Sequence, residues 1–187
     1  MSATKEQQKI IEAIHNKSCK LLKVSACSGS GKTWTLVEVV KSLQEKNPKT
    51  KGLYIAYNKA IATEAGTKFP SEIECRTTHS LAYGSTVRPM GLKVGFFGYR
   101  DIKEDITYMK KVELIASIEE FCLSASTSYT AFLTTTDYRS SLGPLGEAIL
   151  RKMATGAITC THSFYLKLYH ILLVNGSVKP KELDERI

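Results

Sequence analysis

The sequence predicts an α/β fold built on a parallel sheet, and three observations support this class. Short apolar runs with strand character alternate with amphipathic helical patterns along the first 87 residues. A Gly/Ser-rich turn joins the first strand candidate to the first long helix. The 187 residues are 43% hydrophobic and 24% charged, which is typical of globular domains rather than of disordered chains. Strand–helix alternation of this kind is typical of parallel strands joined by right-handed crossovers.

Caps, periodicity and helix breakers predict the individual elements. Thr4 and Gln7 have the spacing of a capping box, and apolar residues at helical spacing follow them. Asn58 is a suitable N-cap, and Asn47 with Pro48 closes the preceding helix. Strands are predicted over 21–25, 53–57 and 73–76, and helices over 4–16, 31–47, 58–66 and 78–83.

The pattern changes after residue 87. Residues 88–100 are rich in glycine and predict a loop, and ten of the residues in 124–141 are Ser or Thr, which favours irregular structure. Helices are predicted over 101–122, 144–154 and 161–173. The sequence therefore predicts three parts: a nucleotide-binding α/β core over 1–87, a helical insertion over 88–158, and a return to the core over 159–187.

The charge is uneven along the chain. The net charge is +8, and residues 1–111 carry 19 basic and 10 acidic side chains, against 7 and 8 in residues 112–187. A basic half indicates a polyanionic partner such as a nucleic acid or a nucleotide, or else a solvated lysine-rich face. The sequence shows no membrane span and no signal peptide, and its five cysteines include no CxxC pair. These features predict a cytoplasmic or nucleoid-associated protein with free thiols and no membrane partner.

The strongest motif lies between the first strand candidate and the helix that follows it. Glycines at 29 and 31 allow backbone N–H groups to turn toward an anion, and the helix directs its positive end to the same point. Lys32 is predicted to contact the β- and γ-phosphates of ATP, and the Thr33 hydroxyl to bind Mg²⁺. The segment has the pattern of a Walker A phosphate loop with Ala in place of the first Gly, and it comprises Ala26, Cys27, Ser28, Gly29, Ser30, Gly31, Lys32 and Thr33.

Several blocks in a fixed order resemble the UvrD-like superfamily 1 DNA helicases. The blocks are Thr4-x-x-Gln7, similar to the Q motif; 26–33, similar to Walker A; 56–65, similar to motif Ia; 78–81, similar to motif Ib; and 161–169, similar to the segment before Walker B in the F-box-type branch. The resemblance implies a P-loop NTPase of RecA-like fold with an inserted α-helical subdomain. The chain would be the N-terminal part of the first motor domain of an ATP-dependent DNA helicase.

The resemblance also implies roles for individual residues. Gln7 is expected to read the adenine edge, and Lys32 and Thr33 to serve the phosphates and Mg²⁺ during ATP hydrolysis. Single-stranded DNA is the expected polymer partner. Rings expected to stack on its bases are those of Tyr57, His79 and Tyr165, and groups expected to hold its phosphates are those of Asn58, Lys59, Thr78 and Ser80.

Structural alternatives remain open for the three rings. Tyr57 also suits a half-buried strand position, and His79 a helix start where its ring bonds to backbone. Tyr165 lies on an apolar helix, for which packing in the core is an equal alternative.

Part of the ATPase machinery is missing from the sequence. Hydrolysis needs carboxylates that hold the Mg²⁺ shell and polarise water, which the helicase family provides as Asp-Glu after an apolar strand. Here the apolar run 171–174 is followed by Asn175 and Gly176, and Asp184 follows no strand. The expectation is a motor segment cut before Walker B, without turnover of its own, which needs a C-terminal helicase portion or a second polypeptide.

Two other functions fit parts of the sequence. A non-hydrolysing module that binds ATP and single-stranded DNA would need the phosphate loop and the basic half alone. A small P-loop kinase would suit the length, but the sequence offers no convincing acceptor-site carboxylate or arginine-bearing lid. ATP hydrolysis would favour the helicase motor, and steeply salt-dependent DNA binding without hydrolysis would favour the binding module. Phosphorylation of a nucleoside would favour the kinase.

Overall fold

A computed structural model describes residues 3–16 and 18–177. The chain forms two compact units, divided between Thr77 and Thr78. Residues 178–187, at the end of the predicted return to the core, lie outside the described residues. The three-part division at 87 and 158 stays a prediction.

The described elements of the first unit follow the predicted order, except that no strand forms between the first two helices. Its elements are α1 (Lys5–Ala13), α2 (Lys32–Lys46), β1 (Gly52–Ala56), α3 (Lys59–Lys68) and β2 (Ile73–Thr77). The Thr4 side chain caps α1 and the Gln7 side chain returns to the Thr4 backbone, so the predicted capping box is formed. Asn58 caps α3 through a hydrogen bond from the N–H of Ile61.

The sheet of the first unit is parallel, which confirms the α/β class. β1 and β2 pair in register from Gly52 opposite Ile73 to Ala56 opposite Thr77. The connection between two parallel strands must cross over, and α3 is that crossover. A small core forms beneath it, where the Tyr54 and Phe69 rings lie 5.0 Å apart. This arrangement is compatible with a RecA-like domain.

The strand predicted over 21–25 is not formed. Within the described residues this segment pairs with no strand, and Leu21 and Val24 are 74% and 50% exposed. An apolar run acquires strand structure only when a neighbouring strand satisfies its backbone groups. The described sheet has two strands, which pair with each other. The prediction was therefore wrong for this segment, which reaches the phosphate loop without regular secondary structure.

The second unit is helical. Its helices are α4 (Thr78–Ala82), α5 (Arg88–Met90), α6 (Tyr108–Leu123), α7 (Tyr129–Leu133), α8 (Gly143–Ala154) and α9 (His162–Val174), with a π-helical turn at Tyr83–Val87 and 3₁₀ turns at Tyr99–Asp101 and Ser140–Leu142. The helix predicted from 101 begins at Tyr108, because Thr107 caps it and the Asp101 carboxylate instead accepts a hydrogen bond from the N–H of Gly98. None of the described helices is long and apolar enough to cross a membrane.

The Ser/Thr-rich segment 124–141 is more ordered than predicted. Ser128 caps α7, and Tyr129 is 3% exposed. The Tyr129 hydroxyl bonds to Ser117 of α6 at 2.6 Å, and its ring lies so close to Gly146 of α8 that a Cβ there would be 2.1 Å from the ring. Packing against two other helices thus folds a segment whose composition favours a loop.

A buried lysine caps the C-terminus of α6. Lys167 of α9 is 1% exposed, and its ammonium donates to the carbonyl of Ser124 at 2.8 Å and lies 4.3 Å from the centre of the Phe121 ring. A carbonyl at a helix C-terminus lacks an intrahelical donor, so a cation is a favourable partner there. Burial lowers the pKa of Lys167 and raises that of the neighbouring Cys122 thiol to about 12.

Lys167→Ala is expected to lower the free energy of unfolding by about 3 kcal/mol, because it removes both a buried stem and the donor to Ser124. Lys167→Met keeps an apolar stem and should cost about 1 kcal/mol. Urea denaturation followed by far-UV circular dichroism measures both. Lys110→Ala, an exposed change on α6, is the control and should be neutral. Equal stability of the Ala variant and the parent would contradict the capping role.

Candidate functional site

The phosphate loop has the backbone conformation that its sequence demands. Gly29 and Gly31 have φ angles of 75° and 79°, in the left-handed region that glycine adopts without strain. Gly31 is also the N-cap of α2, so the helix starts directly from the loop. Ser30 closes the turn by donating through Oγ to the carbonyl of Cys27 at 2.8 Å. The loop thus brings the first N–H groups of α2 to the surface, the arrangement found where helix N-termini bind anions.

Lys32 folds over the loop. Its ammonium donates to the carbonyls of Cys27 at 2.7 Å and Ala26 at 3.3 Å. These are neutral acceptors at an exposed position, and a phosphate oxygen is a stronger one because its bond to the ammonium is charge-assisted. The first residue of α2 is therefore aimed at the concave side of the loop, as expected of a phosphate-binding lysine.

Gln7 is hydrogen-bonded at both ends of its amide. Oε1 accepts from the N–H of Thr4 at 2.9 Å, and Nε2 donates to Oγ1 of Thr35 at 3.0 Å. Thr35 in turn donates to the carbonyl of Gly31 at 3.0 Å. The side chain therefore links α1 to the start of α2, and an adenine contact by Gln7 stays a prediction.

A cavity of about 720 Å³ opens beside the loop, within the size range of small-molecule sites. Its lining combines apolar side chains, which suit a nucleotide base, with the Lys32 ammonium and the Gln7 amide, which suit polar groups such as phosphates. Its lining residues are Thr4, Glu6, Gln7, Lys9, Ile10, Leu22, Val24, Ser25, Ala26, Ser30, Lys32, Thr35 and Leu36.

The donors suit a nucleotide phosphate better than they suit a complete metal shell. The loop, Lys32 and the start of α2 provide positive groups for an anion. Thr33, the second residue of α2, has the one hydroxyl expected to bind Mg²⁺. Within 3–16 and 18–177, no three His, Cys, Asp or Glu side chains cluster as a metal site would need.

The predicted motif Ia residues follow β1. Tyr57 is 94% exposed, so its ring offers its faces to solvent and the half-buried alternative is wrong. Asn58 uses its carbonyl oxygen to cap α3, which leaves its NH₂ group to donate elsewhere. Lys59 begins α3 and is exposed. An exposed aromatic ring beside an exposed cation is a pairing that single-stranded nucleic acid can use.

The predicted motif Ib residues and Tyr165 lie in the second unit. Thr78, His79 and Ser80 are the first three residues of α4, and all are exposed. Tyr165 is 3% exposed, and its ring meets the edges of His79 and Tyr83, each at 6.0 Å. Burial raises the pKa of its hydroxyl. A ring covered in this way does not offer a face for base stacking, so its burial supports the core-packing alternative.

The motifs assign no role to His162, yet it joins this aromatic group. Its Nδ1 lies 3.1 Å from the Tyr165 hydroxyl, and its ring centre is 6.4 Å from that of His79. The signal in the sequence is the tripeptide Thr-His-Ser, which occurs at both 78–80 and 161–163.

A known protein family includes the segment that carries this site. Residues 1–121, which include the phosphate loop, match the family model described as "Type III restriction enzyme, res subunit". The chain belongs to this family. The res-subunit match extends over all the helices and strands described for the first unit and through most of α6.

Two curated relatives share a shorter segment. "F-box DNA helicase protein 1" of Schizosaccharomyces pombe is 45% identical over 82 residues, and "F-box DNA helicase 1" of Gallus gallus is 39% identical over 82 residues. Each match covers 44% of this chain, but only 9% and 8% of the respective relative. No solved structure matches. Together with the res-subunit match, these names support a helicase N-terminal region, and the narrower UvrD-like assignment stays a prediction.

Gly31→Ala is expected to destabilise the first unit by about 1–2 kcal/mol, because alanine is strained at a φ of 79° and its Cβ would lie 3.2 Å from Nε2 of Gln7. Urea unfolding followed by the fluorescence of Trp34, which lies in α2, measures the effect. Gly66→Ala is the matched control. It lies in α3 with open space at its Cβ position, and it should raise stability by about 0.5–1 kcal/mol. Destabilisation of equal size in both variants would contradict the loop geometry.

Proposed function

We propose that this chain is the ATP-binding N-terminal segment of an ATP-dependent, UvrD-like DNA helicase that moves along single-stranded DNA. The observation that carries the proposal is the phosphate loop, with two left-handed glycines and Lys32 folded over it, beside a cavity of nucleotide size. The match to the res-subunit family and the names of the two relatives support it.

Different residues of the chain bind different parts of the nucleotide. Lys32 exchanges its carbonyl partners for the β- and γ-phosphates, and the N–H groups at the start of α2 hold further phosphate oxygens. Thr33 is the Mg²⁺ ligand from this segment. The apolar wall of Ile10, Leu22 and Leu36 suits the base. When bound, ATP with Mg²⁺ supplies the free energy of phosphoryl transfer that a helicase converts into movement.

DNA contacts are proposed at two places, each described within its own unit. In the first unit, Tyr57 stacks on a base while Asn58 and Lys59 hold a phosphate. In the second unit, Thr78, His79 and Ser80 hold the DNA, and Tyr165 supports the His79 ring from beneath. The positive excess of residues 1–111 favours both contacts.

Completion of the motor requires protein beyond these elements. The sequence has no Asp-Glu pair after an apolar run with strand character, so the carboxylates for hydrolysis would come from a C-terminal helicase portion or from a second polypeptide. The same observation favours a second candidate function, a module that binds ATP and single-stranded DNA without hydrolysis.

Lys32→Ala is expected to weaken nucleotide binding by at least about tenfold, because it removes the charge-assisted bonds to phosphate. Titration with a fluorescent ATP analogue in the presence of Mg²⁺ measures this. Lys46→Ala removes the same charge at the far end of α2 and should leave the affinity unchanged. Binding that survives Lys32→Ala would exclude the loop as the nucleotide site.

ATP turnover by the purified chain is expected to be absent, with or without single-stranded DNA, because the residues that would polarise water are missing. A phosphate-release assay measures it, and fluorescent-analogue binding by the same sample shows that the site is intact. A robust DNA-stimulated rate would overturn the incomplete-motor proposal.

A further inference from the structure

The tripeptide Thr-His-Ser occurs twice, and both copies lie at the start of helices that pack together. One copy opens α4 and the other spans the N-terminus of α9, which Thr161 caps. The two histidines are exposed, and their ring centres are 6.4 Å apart. A single tetrahedral phosphate has oxygens directed to both sides and can accept a hydrogen bond from each of two rings at this separation.

Buried tyrosine fixes the orientation of the pair. Tyr165 contacts the His162 ring at 5.5 Å and the His79 ring at 6.0 Å, and Tyr83 contacts Tyr165 from another side. The hydroxyl of Tyr165 lies 3.1 Å from Nδ1 of His162. Because Nδ1 is engaged, Nε2 is the nitrogen with which His162 can contact a further partner.

Titratable groups near the pair and on the helices packed against α9 include protonated side chains and side chains that are hydrogen-bonded to other partners. Burial raises the pKa of Tyr165 and of Cys160, so both stay protonated at neutral pH. On α6, Glu119 accepts a hydrogen bond from Ser163 at 2.6 Å. On α8, Glu147 is bonded to Thr130 and Lys152 to Glu104, while Tyr83 adds a phenol to the cluster. Within the described residues, neither histidine forms an ion pair with a carboxylate.

We propose that His79 and His162 together bind one backbone phosphate of single-stranded DNA, and that His162 is therefore a DNA contact in its own right. Each protonated imidazole donates one hydrogen bond to the phosphate, and the first N–H groups of α9 add to the positive potential. The proposal rests on the proposed function, which supplies the DNA, and it extends that function to a residue of block 161–169 for which the resemblance gives no role.

Affinity for DNA then depends on pH. An ordinary imidazole gains its proton near pH 6.5, and an anion between two imidazoles favours protonation of both. Protonation therefore accompanies binding, and the affinity contributed by the pair should be greater at low pH than at high pH.

The first test measures the affinity of the full 187-residue chain for fluorescein-labelled oligothymidylate between about pH 5.5 and pH 8 at fixed ionic strength. The parent should lose about tenfold in affinity across this range. His162→Gln should flatten the loss, and His162→Lys should restore affinity at the high-pH end. His170→Gln is the matched control, because it makes the same change on α9 about 12 Å along the helix, and it should behave as the parent does.

The second test follows the imidazole resonances by NMR while inorganic phosphate is added. Phosphate should move the titration midpoints of His79 and His162 to higher pH and leave that of His170 unchanged. Tyr165→Phe keeps the ring and removes the hydroxyl, and it should reduce the response of His162 more than that of His79.

The outcomes separate this inference from the proposed function. DNA binding whose pH dependence is the same in the parent and in His162→Gln overturns the paired contact and leaves the helicase proposal standing. Failure of the parent to bind DNA at any pH overturns the DNA proposal. In that case, a phosphate response in the NMR titration supports the two-histidine anion site alone, and the absence of any response overturns the site as well.

Discussion

The left-handed backbone at Gly31 is the constraint on which the first unit depends. It turns the chain so that α2 begins at Lys32, with the positive end of the helix and the lysine ammonium at the same loop. It also lets Gln7 approach the backbone, since a side chain at 31 would crowd the Gln7 amide. The link from Gln7 through Thr35 to Gly31 then holds α1 beside the loop. One backbone torsion thus determines the shape of the phosphate loop and the position of the Gln7 amide in the wall of the neighbouring cavity.

Local hydrogen bonding explains what the sequence predicted well. The caps at Thr4, Asn58 and Thr161 each bond to an N–H within three residues, and each of the three helices begins close to its predicted start. The parallel pairing of β1 and β2 followed from strand–helix alternation, because a short crossover leaves little choice of direction. The conformation of the loop glycines was also predictable, because the motif has glycine where the backbone must adopt a left-handed conformation.

Long-range packing explains what the sequence did not predict. The run 21–25 has strand composition, but the described sheet gives it no neighbouring strand. Tyr165 is buried because α4, α6 and α8 pack against α9. The apolar sequence of α9 alone does not show which of its side chains these helices cover. Lys167 carries a charged head into the core, where the end of α6 supplies its partner. His162 acquires significance only because another helix start brings His79 beside it.

The contact between Tyr129 and Gly146 has a consequence for the evolution of this unit. A Cβ at 146 would lie 2.1 Å from the ring at 129, so no side chain fits there while that ring remains. A lineage that gains even a methyl group at 146 must lose or move the aromatic ring, which leaves Ser117 without its phenol partner. Substitutions at positions 117, 129 and 146 are therefore expected to occur together. Covariation of these three positions among diverged relatives would be evidence for this close helix packing.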